Sequence, residues 1–171
     1  LIGSSAGAAV TSGNSNVLVG YEAGHDIAGG GANICIGNGA GDLIVGADNN
    51  ICIGADAGNV LSTGANNVVI GTGADASASG GTNQTVIGKD AAGHGDNIVV
   101  LGSTSVTAWH PGANNSVDLG SPSYRFANIY TSDLHLKNDK GDWTVEEGED
   151  DLFITNNKTG KKFKFKLEEV T

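Results

Sequence analysis

Residues 33–49 read NICIGNGAGDLIVGADN, and residues 50–66 repeat the pattern at once as NICIGADAGNVLSTGAN. Each copy has a short apolar run, a glycine that follows it and an alanine three residues after the glycine. The phrase recurs every 17 residues, with its glycine at positions 3, 20, 37, 54, 71 and 88. A period this short predicts one turn of a coil per repeat, stacked on its neighbours.

The residues before each glycine are rich in Val and Ile, which predicts a short strand in every turn. Alternation sends successive side chains to opposite sides of a strand, and both sides are apolar here. One apolar row can fill the coil, so we expect the second row to be covered by other copies of the chain. We assign this second row, and with it an interface between copies of the chain, to Leu18, Cys35, Cys52, Val69 and Val86.

The repeated strand-then-IGxxA phrase, preceded by asparagine, resembles the head repeats of trimeric autotransporter adhesins and related repeats in bacteriophage tail fibres. The resemblance covers roughly residues 1–102. It implies a left-handed parallel β-roll in which three chains pack around a common axis. Because the first turn begins within a repeat, we expect a preceding N-terminal part that joins other virion proteins.

Composition divides the chain near residues 106–112. The first 108 residues hold 23 of the 28 glycines but one aromatic residue, and eight of the nine aromatics follow. We therefore expect a β-roll over residues 1–106, a cap or junction over 107–115 and a separate tip over 116–171. The formal net charge of −10 argues against nucleic acid as a partner, and no segment has the length and apolarity needed for membrane insertion.

The segment SVDLGSPSYRFANIYTSDL, residues 116–134, is similar to a DLG-x-x-x-YRW-x-NIY segment near the C-termini of phage tail fibres and tailspikes. The resemblance implies a structural role for its matching residues, which are Asp118, Leu119, Gly120, Tyr124, Arg125, Asn128, Ile129 and Tyr130. After it, alternating apolar and polar residues predict a small antiparallel meander with strands over residues 134–136, 143–147, 152–155 and 162–167. The overall expectation is an all-β, homotrimeric, fibrous protein.

Candidate chemical sites are few in this sequence. Cys35 and Cys52 occupy equivalent positions in adjacent repeats, where small buried hydrophobic residues are favoured over a disulfide. The aspartates do not recur at one repeat position, and the histidines lack a second ligand at metal spacing. We expect no metal, no cofactor and no catalytic residue. Trp109 is interpreted as part of a cap over the last turn, with a ligand platform as the alternative.

These observations predict a non-enzymatic virion protein, located extracellularly on a tail fibre or other appendage, that binds a host surface polysaccharide or protein receptor. Two alternatives stay open: the head of a bacterial trimeric autotransporter adhesin and a fragment of a tailspike polysaccharide depolymerase. Selective contacts usually need aromatic or arginine anchors. The candidate receptor-contact or tip anchors are therefore Tyr124, Arg125, Tyr130 and Trp143.

Overall fold

A computed structural model of the chain describes residues 1–113 and 117–165. The chain forms two compact units, Leu1–His110 and Pro111–Thr171, which we call the roll and the tip. Every regular element in the described residues is a β-strand. The predicted all-β class is therefore confirmed.

The roll is a parallel β-solenoid of about five turns. Its six strands form one sheet in chain order: β1 (Val17–Val19), β2 (Ile34–Ile36), β3 (Ile51–Ile53), β4 (Val68–Ile70), β5 (Thr85–Ile87) and β6 (Val99–Leu101). Neighbouring strands pair in register at the predicted period, as Cys35 does with Cys52. The last turn is shorter, because Val86 pairs with Val100. Strand β6 therefore falls outside the repeat of 17 residues and was not predicted.

The glycine after each strand is required by the close approach of successive turns. Gly37 has a φ of 139°, and a Cβ atom placed on it would lie 2.4 Å from the carbonyl oxygen of Gly54 in the next turn. Gly54 stands in the same relation to Gly71. Only a residue without a side chain fits this column, which explains why glycine marks every repeat.

A ladder of buried asparagines lines the coil beside the sheet. The backbone N–H of Asn50 donates to Oδ1 of Asn33 at 2.9 Å, and the N–H of Asn67 donates to Oδ1 of Asn50 at 3.0 Å. The side-chain Nδ2 of Asn50 donates in turn to the carbonyl oxygen of Gly64 at 2.9 Å. Since all three asparagines are fully buried, each side chain satisfies backbone groups that water cannot reach.

The interior of the coil corrects the predicted trimer interface. The middle residue of each of the first five strands is 0% exposed within a single chain: Leu18, Cys35, Cys52, Val69 and Val86. These side chains form the core together with Ile27, Ile44 and Leu61. A side chain enclosed by its own coil cannot meet a neighbouring chain, so the interface row was assigned to the wrong side of the strand.

The junction also differs from expectation. Trp109 is 66% exposed, so in the single chain it does not seal the end of the coil. The side chain of Val106 lies against Gly102, just after the last strand of the roll.

The tip contains a four-stranded antiparallel meander, as predicted. Its strands are β7 (Asp133–Lys137), β8 (Asp142–Glu147), β9 (Leu152–Asn156) and β10 (Lys161–Lys164), and each pairs with the next along the chain. The predicted extension of the last strand to Leu167 lies outside the described residues.

Candidate interaction surfaces

The outer face of the roll sheet is apolar and partly exposed. We define it by the two residues that flank the buried one in each of β1 to β5: Val17, Val19, Ile34, Ile36, Ile51, Ile53, Val68, Ile70, Thr85 and Ile87. Val17, Ile36 and Ile87 are 48, 37 and 38% exposed. Contiguous apolar surface of this kind marks a contact site on a soluble protein. This face is therefore a surface of the roll that another chain could cover.

Carboxylates gather along one edge of the roll. Burial and the nearby charges of Asp26 and Asp56 raise the pKa of Asp42, and burial together with Asp42 and Asp56 raises the pKa of Asp75. His25 lies beside this edge, with its Nδ1 2.6 Å from Oδ1 of Asp26. The mutual repulsion of these groups makes the edge unfavourable for anionic ligands.

The two cysteines are free thiols within the core. Contact with Cys35 and burial raise the pKa of the Cys52 thiol. A protonated thiol in an apolar core is a weak nucleophile and a poor metal ligand. Packing is therefore the role that this geometry supports.

The described residues contain no group of three or more His, Cys, Asp or Glu side chains arranged to hold a metal ion. Across the same residues there is also no helix with the length and apolarity needed to span a bilayer.

The structure brings together two of the four candidate anchors. Tyr124 and Arg125 line a common surface hollow with Phe126, and Arg125 also faces a cavity of about 430 Å³ lined by Asp118, Leu119 and Ile129 among others. Tyr124 and Tyr130 are 84 and 94% exposed. Tyr130 lines a different hollow, beside Glu147.

Trp143 is half-buried on the sheet, where its ring centroid lies 6.2 Å from that of Phe163. Its aromatic contact is typical of a packing residue. The four anchors therefore do not form one site.

A polar cluster on the tip sheet was not predicted. Asp142 is at its centre: its carboxylate lies 2.6 Å from Nε2 of His135 and 2.8 Å from Nζ of Lys137, and it accepts a hydrogen bond from Asn157 at 2.8 Å. These donors hold the pKa of Asp142 well below its usual range. In the sequence, the alternation of His135 and Lys137 places both side chains on one face of β7. Their contact with Asp142 depends on the pairing of β7 with β8, which the sequence spacing does not show.

Comparison with known proteins gave no match: the chain matches no family model, no curated protein and no solved structure. The likeness to adhesin heads and tail fibres therefore rests on the repeated phrase of the roll and on the segment over residues 116–134.

Proposed function

We propose that this chain is part of a homotrimeric virion appendage of the tail-fibre type, which attaches to a host cell surface without catalysing a reaction. The roll acts as a rigid spacer and assembly element. The tip carries recognition of a host polysaccharide or protein receptor. The observation that carries this proposal is the contrast between the two units: a regular coil with apolar rows on its outer face, and a second unit that exposes aromatic residues.

Assembly is supported by the apolar outer face of the roll, where Val17, Ile36 and Ile87 are partly exposed in the single chain. We expect other copies to cover this face, since parallel copies present identical rows to one another.

Recognition by the tip is supported by the distribution of side chains. Tyr124 and Tyr130 are almost fully exposed, and exposed tyrosines supply large contact areas at low entropic cost. Several copies on one particle would convert weak individual contacts into strong attachment. The net charge of −10 on each chain disfavours a strongly anionic receptor surface unless cations screen it.

The proposal is tested with full-length variants in a host-binding assay. Replacing both Tyr124 and Tyr130 by Ser should abolish binding to host cells and competition with intact virions. Tyr21→Ser is the matched control, because Tyr21 is a half-exposed tyrosine of the roll. Loss of binding in Tyr21→Ser alone would move recognition to the roll. Release of reducing ends from capsular polysaccharide, if one carboxylate substitution abolished it, would assign the chain to the depolymerase class.

A further inference from the structure

The tip sheet has one apolar face, which the strand register defines. Residues directly opposite one another in an antiparallel sheet lie on the same face. Leu134 pairs with Val145, Val145 with Ile154 and Ile154 with Phe163, so one apolar row crosses all four strands. We call this side the apolar tip face, and it comprises Leu134, Leu136, Trp143, Val145, Leu152, Ile154 and Phe163, with Phe165 directly after β10, where its N–H donates to the carbonyl oxygen of Leu152.

On the opposite face, charged side chains form ion pairs within the chain. Nζ of Lys162 lies 2.6 Å from a carboxylate oxygen of Glu146, and Nζ of Lys164 lies 2.7 Å from one of Asp151. Lys162 also lies over the ring of Phe153, 4.5 Å from its centroid. This face thus has the paired charges of a solvent-facing surface. The apolar tip face does not, because Leu134 and Phe163 remain 48 and 49% exposed.

We propose that the apolar tip face is an interface between copies of this chain, where it packs against the same face of the other tips in the assembly. This inference rests on the homotrimer proposed above and adds a second contact to that of the roll. It leaves the ion-paired face, with the cluster around Asp142, as the side of the sheet that points away from the other copies.

The size of the face favours a second copy over an unrelated protein. Four strands of about five residues cover about 17 by 19 Å, or about 300 Å² in projection. A separate protein partner typically buries about 800 Å² on each side. A smaller patch is sufficient when the partner is already held nearby, because the local concentration of a tethered partner is high. Copies joined through their rolls meet this condition.

The charges at the rim are also compatible with self-association. Alternation along β8 and β10 places Glu147 and Lys161 on the same side of the sheet as the apolar row. These two strand residues carry opposite charges, so they add no net repulsion when identical faces approach.

The test uses two cysteine variants of the full chain, Phe163→Cys and Lys164→Cys. These residues are consecutive in β10 and point to opposite faces, and in the single chain they have similar exposure, 49% for Phe163 and 60% for the Lys164 side chain. The native thiols are buried and should not react. A short bis-maleimide should join copies of Phe163→Cys but not of Lys164→Cys. A mono-maleimide should label Phe163→Cys at least about tenfold more slowly.

Two outcomes would overturn the inference while leaving the trimer intact. One is equal labelling of both variants in a sample whose sedimentation shows three chains, since the apolar face would then be open to another partner. The other is cross-linking through Lys164→Cys alone. If both variants sediment as single chains, the proposed homotrimer fails as well. Circular dichroism matching the unmodified chain confirms that each variant is folded, and Leu134→Cys serves as a second probe of the same row.

Discussion

Ala32 occupies a backbone position that other turns of the roll give mostly to asparagine. Its φ is 56°, in the left-handed region, and the equivalent residues are Ser15, Asn49, Asn66 and Asn83. Asparagine tolerates this conformation because its short polar side chain can bond locally, whereas the Cβ of alanine crowds the backbone. Ala32 therefore has a strained backbone conformation, whereas most of the equivalent residues in other turns tolerate this conformation better.

Replacing Ala32 by Asn should stabilise the roll by about 1 kcal/mol, since it removes part of the cost of a left-handed alanine. Chemical denaturation followed by circular dichroism measures the change. Ala78→Asn is the control, because Ala78 is also exposed and is not among the residues with positive φ. Equal effects of the two substitutions would show that the gain does not come from relief of backbone strain.

The strands themselves were largely predictable, but their orientation was not. Strands β1 to β5 follow from the 17-residue period, and the meander of the tip follows from alternation. Both sides of each roll strand are apolar, so alternation could not tell inside from outside. The buried Asn33 lies two residues before Cys35 and hence on the same side of the chain. Backbone groups inside a coil need hydrogen-bond partners, and an asparagine repeated beside each strand can supply them. The spacing of Asn33 and Cys35 therefore indicates that the interior lies on the side of Cys35.

Two features depended on contacts that spacing alone does not give. Strand β6 was missed because the last turn closes after fewer residues. The Asp142 cluster was missed because its members come from β7, β8 and the turn after β9, and only their register brings them together.

Two carboxylates of the roll and one of the tip predict opposite responses to acid. In the roll, hydrogen bonds from Thr82 and Gln84 lower the pKa of Asp96, but the pKa values of Asp42 and Asp75 are raised above the ordinary 3.8. Their ionised forms disfavour folding, so this penalty is relieved as the pH falls through the raised values. In the tip, the pKa of Asp142 is lowered. Its contribution to stability is present above its unfolded-state pKa and is lost progressively below about pH 5.

Hydrogen exchange, corrected for intrinsic rates and resolved by peptide, should therefore show that acidification from pH 7 to about pH 4 protects the roll turns around Asp42 and Asp75 relative to the tip. Asp42→Asn should remove part of the acid-induced gain in protection of the roll. Asparagine is a suitable replacement, because the equivalent position in the next turn is Asn59. Asp142→Asn should remove part of the loss in the tip. A roll that loses protection in acid before the tip does would contradict this account.

For the whole molecule, we propose that three chains assemble through apolar sheet faces. The core of the roll is formed by residues of one chain. The coil can therefore fold without the other copies, and assembly depends on a different set of side chains. Inward and outward substitutions should therefore have different effects. An aspartate in place of Val69 would bury a charge in the core and unfold the coil. An aspartate in place of Ile36, on the outer face, should leave the coil folded and prevent association.

Sedimentation velocity of the purified chain, alongside Ile36→Asp, tests this assembly. We expect the unmodified protein to sediment with three times the 17.1 kDa mass of one chain, and Ile36→Asp to sediment as a single chain with its β-sheet circular dichroism retained. A folded, soluble monomer of the unmodified chain at micromolar concentration would contradict it.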